Sequence, residues 1–237
     1  MRGAWGEAHG LKYVRIDPDG SSADVPLIIA IHGRGADASD LAGLAGEIAP
    51  EGYRWVLPQG PRPVDLGFGY TGWAWYELNE MQAATVVDSR DRLTAFLDAM
   101  MAEIGAERER TVIMGFSQGA VMTIHVGLMA EQPFGGVVAM SGHLPAVEAL
   151  TPVLSSRRDR SILVVHGTED QTLPIERGRR VRDTLVEAGL RPEYYEFPMG
   201  HQITEESLSV VREYILRRVP PGASRSPSEP AGADRPR

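Results

Sequence analysis

The sequence predicts an α/β protein: a single domain over residues 1–219, with a mostly parallel central sheet, helices on both faces and no large cap domain. Short, wholly apolar runs such as Leu27–Ile31 and Gly135–Met140 have the character of strands covered on both faces, as in a parallel sheet. Between them lie longer stretches with apolar residues at helical spacing. Strand and helix therefore alternate, and right-handed crossovers join parallel strands. At 237 residues, 43% hydrophobic and 24% charged, the chain suits one substantial core.

In chain order, Leu11–Ile16 reads as a first strand and Asp17–Ser22 as a turn. Leu27–Ile31 runs into a glycine-rich loop, His32–Ser39, then a short helix, Asp40–Ala49, capped by Ser39 or Asp40. Tyr53–Leu57 is the next strand. Pro58–Glu80 is a long connection rich in Gly, Pro and aromatic residues, and loops of that length in compact domains are usually functional. Thr85–Ile104 is a helix, with Val86, Val87, Leu93, Phe96, Leu97 and Met100 near helical spacing. The strand Thr111–Met114 leads to the helix Gln118–Ala130, and the strand Gly135–Met140 to a partly helical connection, His143–Asp159. Ser161–Val165 is a strand, Ile175–Ala188 a helix, Glu193–Phe197 a strand and Thr204–Val219 a closing helix. Residues 220–237 hold no large apolar side chain to offset the cost of ordering and are expected to form a disordered Pro/Ser/Arg-rich tail.

Composition excludes several functions. The formal charge of −8 argues against nucleic acid as a partner. The absence of cysteine removes disulfides, thiolate metal sites and a cysteine nucleophile, and fits a cytoplasmic protein. The first ten residues lack an apolar segment of signal-peptide length. No stretch approaches the ~20 apolar residues of a membrane span, so stable membrane insertion is not expected. No His, Asp or Glu cluster has ligand spacing, so no metal is expected.

The chemistry centres on Gly115-Phe-Ser-Gln-Gly119, placed between an apolar strand and a helix. This is the pattern of a nucleophile elbow: the strand delivers Ser117 to a sharp turn, cramped enough to need both glycines. A serine hydroxyl needs a base, and that base an orienting acid. Chains of the α/β-hydrolase kind supply them in the order Ser, Asp or Glu, His. Here Asp170 follows the strand Ser161–Val165, with Glu169 as the rival acid, and His201 follows Glu193–Phe197. Both lie past C-terminal strand ends, where open α/β sheets bind ligands.

A tetrahedral intermediate needs main-chain donors for its oxyanion. The expected pair is the N–H of Gln118, after the nucleophile, and that of Arg34 in His32-Gly-Arg-Gly-Ala-Asp37, where Gly33 lets the backbone come close to substrate. The long loop carries Leu66, Phe68, Tyr70, Trp73, Trp75 and Tyr76. These either form a structural flap or line an apolar substrate slot, with Phe68, Trp73, Trp75, Tyr76 and His143 as the candidate lining. An aromatic flap could also be the surface of a homodimer. Of the remaining histidines, His32 reads as structural, His125 lies inside the elbow helix, His9 is near the chain start, and His166 could line the site.

Leu27-Ile-Ile-Ala-Ile-His-Gly-Arg-Gly-Ala-Asp37, Leu57-Pro-Gln-Gly-Pro61, Trp75-Tyr76, Gly115-Phe-Ser-Gln-Gly119, His166-Gly-Thr-Glu-Asp170 and Gly200-His201 occur in that order. Together, over roughly residues 25–217, they resemble the phospholipase/carboxylesterase family of α/β hydrolases, which includes acyl-protein thioesterases and small bacterial carboxylesterases. The resemblance implies a cofactor-free serine hydrolase acting on small-molecule carboxylic esters, with thioesters or lysophospholipids as variants. It implies Ser117 as nucleophile, Asp170 as acid, His201 as base, and Arg34 and Gln118 as oxyanion donors. Relatives often carry an apolar residue where Arg34 stands, so its guanidinium is expected to alter the ranking of ester substrates. The competing readings are a non-catalytic binding protein on the same scaffold, or a serine peptidase or transacylase with the same triad.

Overall fold

The structure is a computed structural model that describes residues 3–18, 25–48 and 52–222. Most of the expected turn at Asp17–Ser22, and the tail beyond residue 222, lie outside the described residues. The elements are β1 (Ala4–Ala8), β2 (Leu11–Ile16), β3 (Leu27–Ile31), α1 (Leu44–Ile48), β4 (Arg54–Pro58), β5 (Arg62–Asp65), β6 (Thr71–Ala74) and α2 (Gln82–Ile104). They continue with β7 (Thr111–Phe116), α3 (Gln118–Met129), β8 (Gly136–Met140), α4 (Thr151–Leu154), β9 (Ile162–Gly167), α5 (Ile175–Glu187), β10 (Glu193–Phe197) and α6 (Glu205–Arg218).

Among the described residues the main sheet has eight strands in the order β1-β2-β4-β3-β7-β8-β9-β10. From β4 to β10 every neighbouring pair is parallel, whereas β1 and β2 add an antiparallel edge. The strands β3, β4, β8 and β9 are buried along their whole length, as the unbroken apolar runs of β3 and β8 require; β4 and β9 also bury Arg54 and His166. Residues of α2, α3 and α5 pack on one face with Ile29, Ile31, Ile113 and Val137, and residues of α1 and α6 on the other with Ile28, Ala30, Val112 and Met114.

The chain crosses from β4, on one side of β3, to β7 on the other. The loops after β3 and β7 therefore meet at a switch point of the sheet, where open α/β sheets bind ligands. Register makes this exact to the residue. Ile31 pairs with Gly115, so Gly33 and Ser117, each two residues further on, come together. Likewise β9 and β10 lie side by side, with Gly167 opposite Phe197, and their exit loops are zipped by Thr168 N–H to Phe197 C=O (2.8 Å) and Glu169 N–H to Met199 C=O (3.1 Å).

Three elements differ from the sequence expectation. β1 pairs with β2 through a tight turn with positive φ at His9 (50°) and Gly10 (77°), so the chain start is an edge hairpin. The connection Pro58–Glu80 is not a plain loop: β5 and β6 form a second hairpin. The helix expected at Asp40–Ala49 is a single 3-10 turn followed by α1, and Ser39 makes no side-chain cap; Asp37 Oδ1 instead accepts from Ser39 N–H and Oγ–H.

Candidate active site

Ser117 stands between β7 and α3 with φ 55° and ψ −114°, a conformation L-residues rarely adopt. It is held there by its N–H bond to Met140 C=O (2.9 Å) and by two glycines that leave no room for a Cβ. A Cβ on Gly115 would meet the Gly119 carbonyl at 2.4 Å, and one on Gly119 would meet Ile31 O at 1.9 Å.

His201 Nε2 lies 2.9 Å from Ser117 Oγ, and His201 Nδ1 lies 2.7 Å from Asp170 Oδ2. With Nδ1–H donating to the carboxylate, Nε2 is left to accept from the serine hydroxyl. The Asp170 side chain is fully buried, and its other oxygen accepts from the N–H groups of Thr172 (2.9 Å) and Leu173 (2.7 Å). Glu169, the rival acid, is exposed. Phe116 packs on the His201 ring with centroids 4.9 Å apart. Just beyond, a capping box between Thr204 and Ser207 fixes the start of α6 and the loop that carries His201.

The loop after β3 is equally constrained. His32 is buried; its Nε2 accepts from Gly60 N–H (2.9 Å), which makes Nδ1 the donor to Gly33 C=O (2.6 Å). Burial holds this ring below the usual imidazole range, so it stays neutral. A Cβ on Gly33 would sit 3.3 Å from Ser117 Cβ, so this backbone passes directly over the serine. Among the described residues, no protein acceptor engages the N–H of Arg34 or of Gln118. The Arg34 side chain is exposed.

The aromatic segment divides in two. Trp75 and Tyr76 are fully buried in the core, which corrects the expectation that they line a substrate slot. Their main chain is bound by the Gln118 side chain: Oε1 accepts from Trp75 N–H and Nε2 donates to Tyr76 C=O, both at 2.9 Å. The Trp75 indole donates to His32 C=O (3.0 Å). Trp73, half-buried, forms a bridge with Ala36 and accepts from Gly35 N–H (2.8 Å), so it ties the hairpin to the loop after β3. Phe68 is fully exposed at the hairpin tip beside Tyr70. The buried pair thus follows the structural-flap alternative, for hydrogen bonds inside the core hold their backbone and the Trp75 indole.

His143 is half-buried with its ring edge towards Tyr76 (6.2 Å), and burial, with the Arg177 charge second, lowers it to about 4. His166, a candidate for lining the site, is instead fully buried beside the acid. Its Nε2–H donates to Leu173 C=O (2.7 Å) and stands 3.7 Å from Asp170 Oδ2, so it braces the turn that holds the acid. Among the described residues, no group of three or more His, Asp or Glu is placed to hold a metal ion. No helix there is long and apolar enough to cross a membrane.

A Ser–His–Asp chain at the switch point of a mostly parallel sheet, with the serine on a strained strand-to-helix turn, defines an α/β hydrolase. More narrowly, residues 15–218 match the profile of the phospholipase/carboxylesterase family, and the chain belongs to that family. It is 26% identical over 177 residues to acyl-protein thioesterase 1 of Yarrowia lipolytica, covering 70% of this chain and 78% of that one. It is 27% identical over 176 residues to the carboxylesterase SOBER1 of Arabidopsis thaliana, covering 70% and 77%. Among solved structures it resembles esterase PE8 (TM-score 0.71, 26% identity, 86% of this chain and 97% of that one). The fold also matches a carboxylesterase from Mesorhizobium loti, with TM-score 0.76 at 17% identity over 91% and 99% of the two chains.

Proposed function

We propose that this chain hydrolyses carboxylic esters in two steps through an acyl-enzyme on Ser117. The observation that carries the reading is the continuous contact from Ser117 Oγ through His201 to Asp170, at 2.9 and 2.7 Å. His201 takes the serine proton as Oγ attacks the carbonyl carbon, and Asp170 steadies the imidazolium that forms. The oxyanion is received by the N–H groups of Gln118 and Arg34, each donor worth ~2.7–4 kcal/mol of barrier. The alcohol departs with the proton from His201. Water then attacks the acyl-enzyme by the same route and releases the acid. A thioester would pass through the same acyl-enzyme, and the thioesterase and carboxylesterase relatives support both leaving groups. No cofactor takes part in these steps. A cysteine-free, acidic chain supports a cytoplasmic setting with small-molecule substrates.

The test combines a fluorophosphonate probe with a panel of para-nitrophenyl esters of graded chain length. Wild type should be labelled on Ser117 and turn over the esters, and Ser117→Ala should lose the label and most turnover. A folded wild-type protein that neither takes the probe nor cleaves any ester would instead be a binding protein. Faster cleavage of peptide amides than of esters would point to a peptidase.

A further inference from the structure

The loop after β8, one side of α5 from Arg177 to Glu187 and the start of α2 at Gln82 line a cleft of about 380 Å³. His143 stands in it, Leu144, Pro145 and Val147 give it an apolar wall, and Arg177 and Arg180 form its rim. Both arginines are exposed, and neither makes an ion pair among the described residues. Their neighbours on the same helix do: Arg179 forks onto Glu196 through two bonds of 2.8 Å, and Arg182 meets Asp183 at 2.8 Å. The unpartnered pair thus borders the cleft, Arg177 facing it alone and Arg180 also reaching a second hollow shared with Glu176, Asp183 and Glu187.

The same cleft holds a polar atom without a partner, His143 Nδ1, which is buried. Arg177 helps keep that ring neutral, so it offers a hydrogen bond rather than a rival charge. Glu187 also lines the cleft, but it lies seven residues beyond Arg180, ~10 Å along the helix, which leaves the Arg177 end cationic. The loop that lines the cleft packs against the turn that carries the serine: a Cβ on Gly142, next to His143, would meet Ala120 Cβ in the first turn of α3 at 2.6 Å and the Ser117 carbonyl at 3.6 Å. Arg177 itself sits on the segment that follows Asp170 and its supporting amides.

We propose that this cleft is a carboxylate subsite: Arg177 and Arg180 bind an acid group carried by the ester substrate, while its hydrocarbon part lies on the Leu144–Val147 wall. Guanidinium forks match carboxylates in geometry and charge, and an unpaired pair at the mouth of a half-apolar cleft selects a substrate that is apolar in the middle and anionic at one end. This rests on the ester-hydrolase reading above and narrows its substrate class.

Two matched ester pairs test it. The mono-para-nitrophenyl ester of adipate is compared with para-nitrophenyl hexanoate, which places the acid on the acyl side. The butanoate ester of para-hydroxybenzoate is compared with phenyl butanoate, which places it on the leaving side. Wild type should favour the acid in one pair, and Arg177→Gln/Arg180→Gln should cut that ratio of kcat/KM by roughly tenfold or more, the effect of losing a charged hydrogen bond. Arg212→Gln on α6, across the sheet, removes one charge elsewhere and should leave the ratio as in wild type. Free adipate should inhibit wild type competitively and the double variant far more weakly. No preference in either pair, or a preference that survives the double substitution, overturns the subsite. Failure to cleave the neutral esters as well would sink the hydrolase reading itself.

Discussion

Replacing Gln118 by leucine separates what this residue does with its side chain from what it does with its backbone. The side chain is almost the same size as leucine and only 4% of the residue is exposed, so the pocket stays filled. What is lost is a pair of hydrogen bonds, from Trp75 N–H to Oε1 and from Nε2–H to Tyr76 C=O, both 2.9 Å. Trp75 and Tyr76 are 0% and 1% exposed, so neither main-chain group can turn to water. An orphaned buried donor or acceptor costs ~1–3 kcal/mol, which puts Gln118→Leu at about 2–6 kcal/mol. In a domain of this size that is a fall in Tm of roughly 4–24 °C. Urea unfolding followed by tryptophan fluorescence and a thermal melt should both read it. Gln118→Glu sharpens the test, because it keeps the shape and the acceptor towards Trp75 but turns an acceptor towards Tyr76 C=O; it should destabilise as well. A loss under ~0.5 kcal/mol in both variants would refute the stitching role. The Gln118 N–H survives both changes, so turnover should fall only as far as the flap moves.

Other perturbations have distinct signatures. Asp170→Asn should lower turnover of a para-nitrophenyl ester by up to ~10⁴ with the fold intact, as in other Ser–His–Asp enzymes; normal turnover would move the acid to Glu169. His32→Phe removes the donor to Gly33 C=O and the acceptor for Gly60 N–H, and should lower kcat more than it changes KM, since the loop it braces carries the Arg34 amide; steady-state kinetics on folded protein decide it. Acid should weaken the fold through His125 and His143, both lowered from 6.5 to about 4 chiefly by burial. Unfolded rings take up protons near 6.5 and folded ones only near 4, so this stabilisation is present above 6.5 and is lost as pH falls towards 4. Between pH 7 and 5 the loss is on the order of 2 kcal/mol per ring, and His125→Gln should flatten the dependence seen in urea titrations.

How far the sequence could be read depended on where each signal sits. Strands buried on both faces announce themselves, because every residue of Leu27–Ile31 must be apolar. The edge strand Ala4–Ala8 has no such constraint; its residues are mostly exposed, and only the His9-Gly10 turn hints at a hairpin. The second hairpin hides in the same way, behind the Leu66-Gly-Phe-Gly-Tyr70 tip. Ser117, Asp170 and His201 were legible because chain order and strand ends fix where each must stand. Trp75 and Tyr76 were not, because a loop that folds back into the core looks like an exposed one until its partner, the Gln118 amide, is known. The arginines of α5 were also beyond reach. Whether a surface arginine is paired depends on neighbours such as Glu196, which another strand supplies.

Stability and chemistry meet at some positions of this site and part at others. Holding Ser117 at φ 55° costs on the order of 1–3 kcal/mol, so the surrounding contacts must impose it. Those contacts are structural ones: the Met140 carbonyl, the Gly115–Gly119 approach and the close passage of Gly33. Changes at Gly115, Gly119, Gln118 or His32 therefore act on folding and activity together, and a lost activity there says little about the reaction. The His201 ring differs, since it is part-exposed and its two polar contacts run only to Ser117 and Asp170. Removing the Ser117 hydroxyl relieves no packing and breaks one bond. A loss of turnover at those two positions, on a protein that melts like wild type, is the result that assigns chemistry rather than scaffold to the chain.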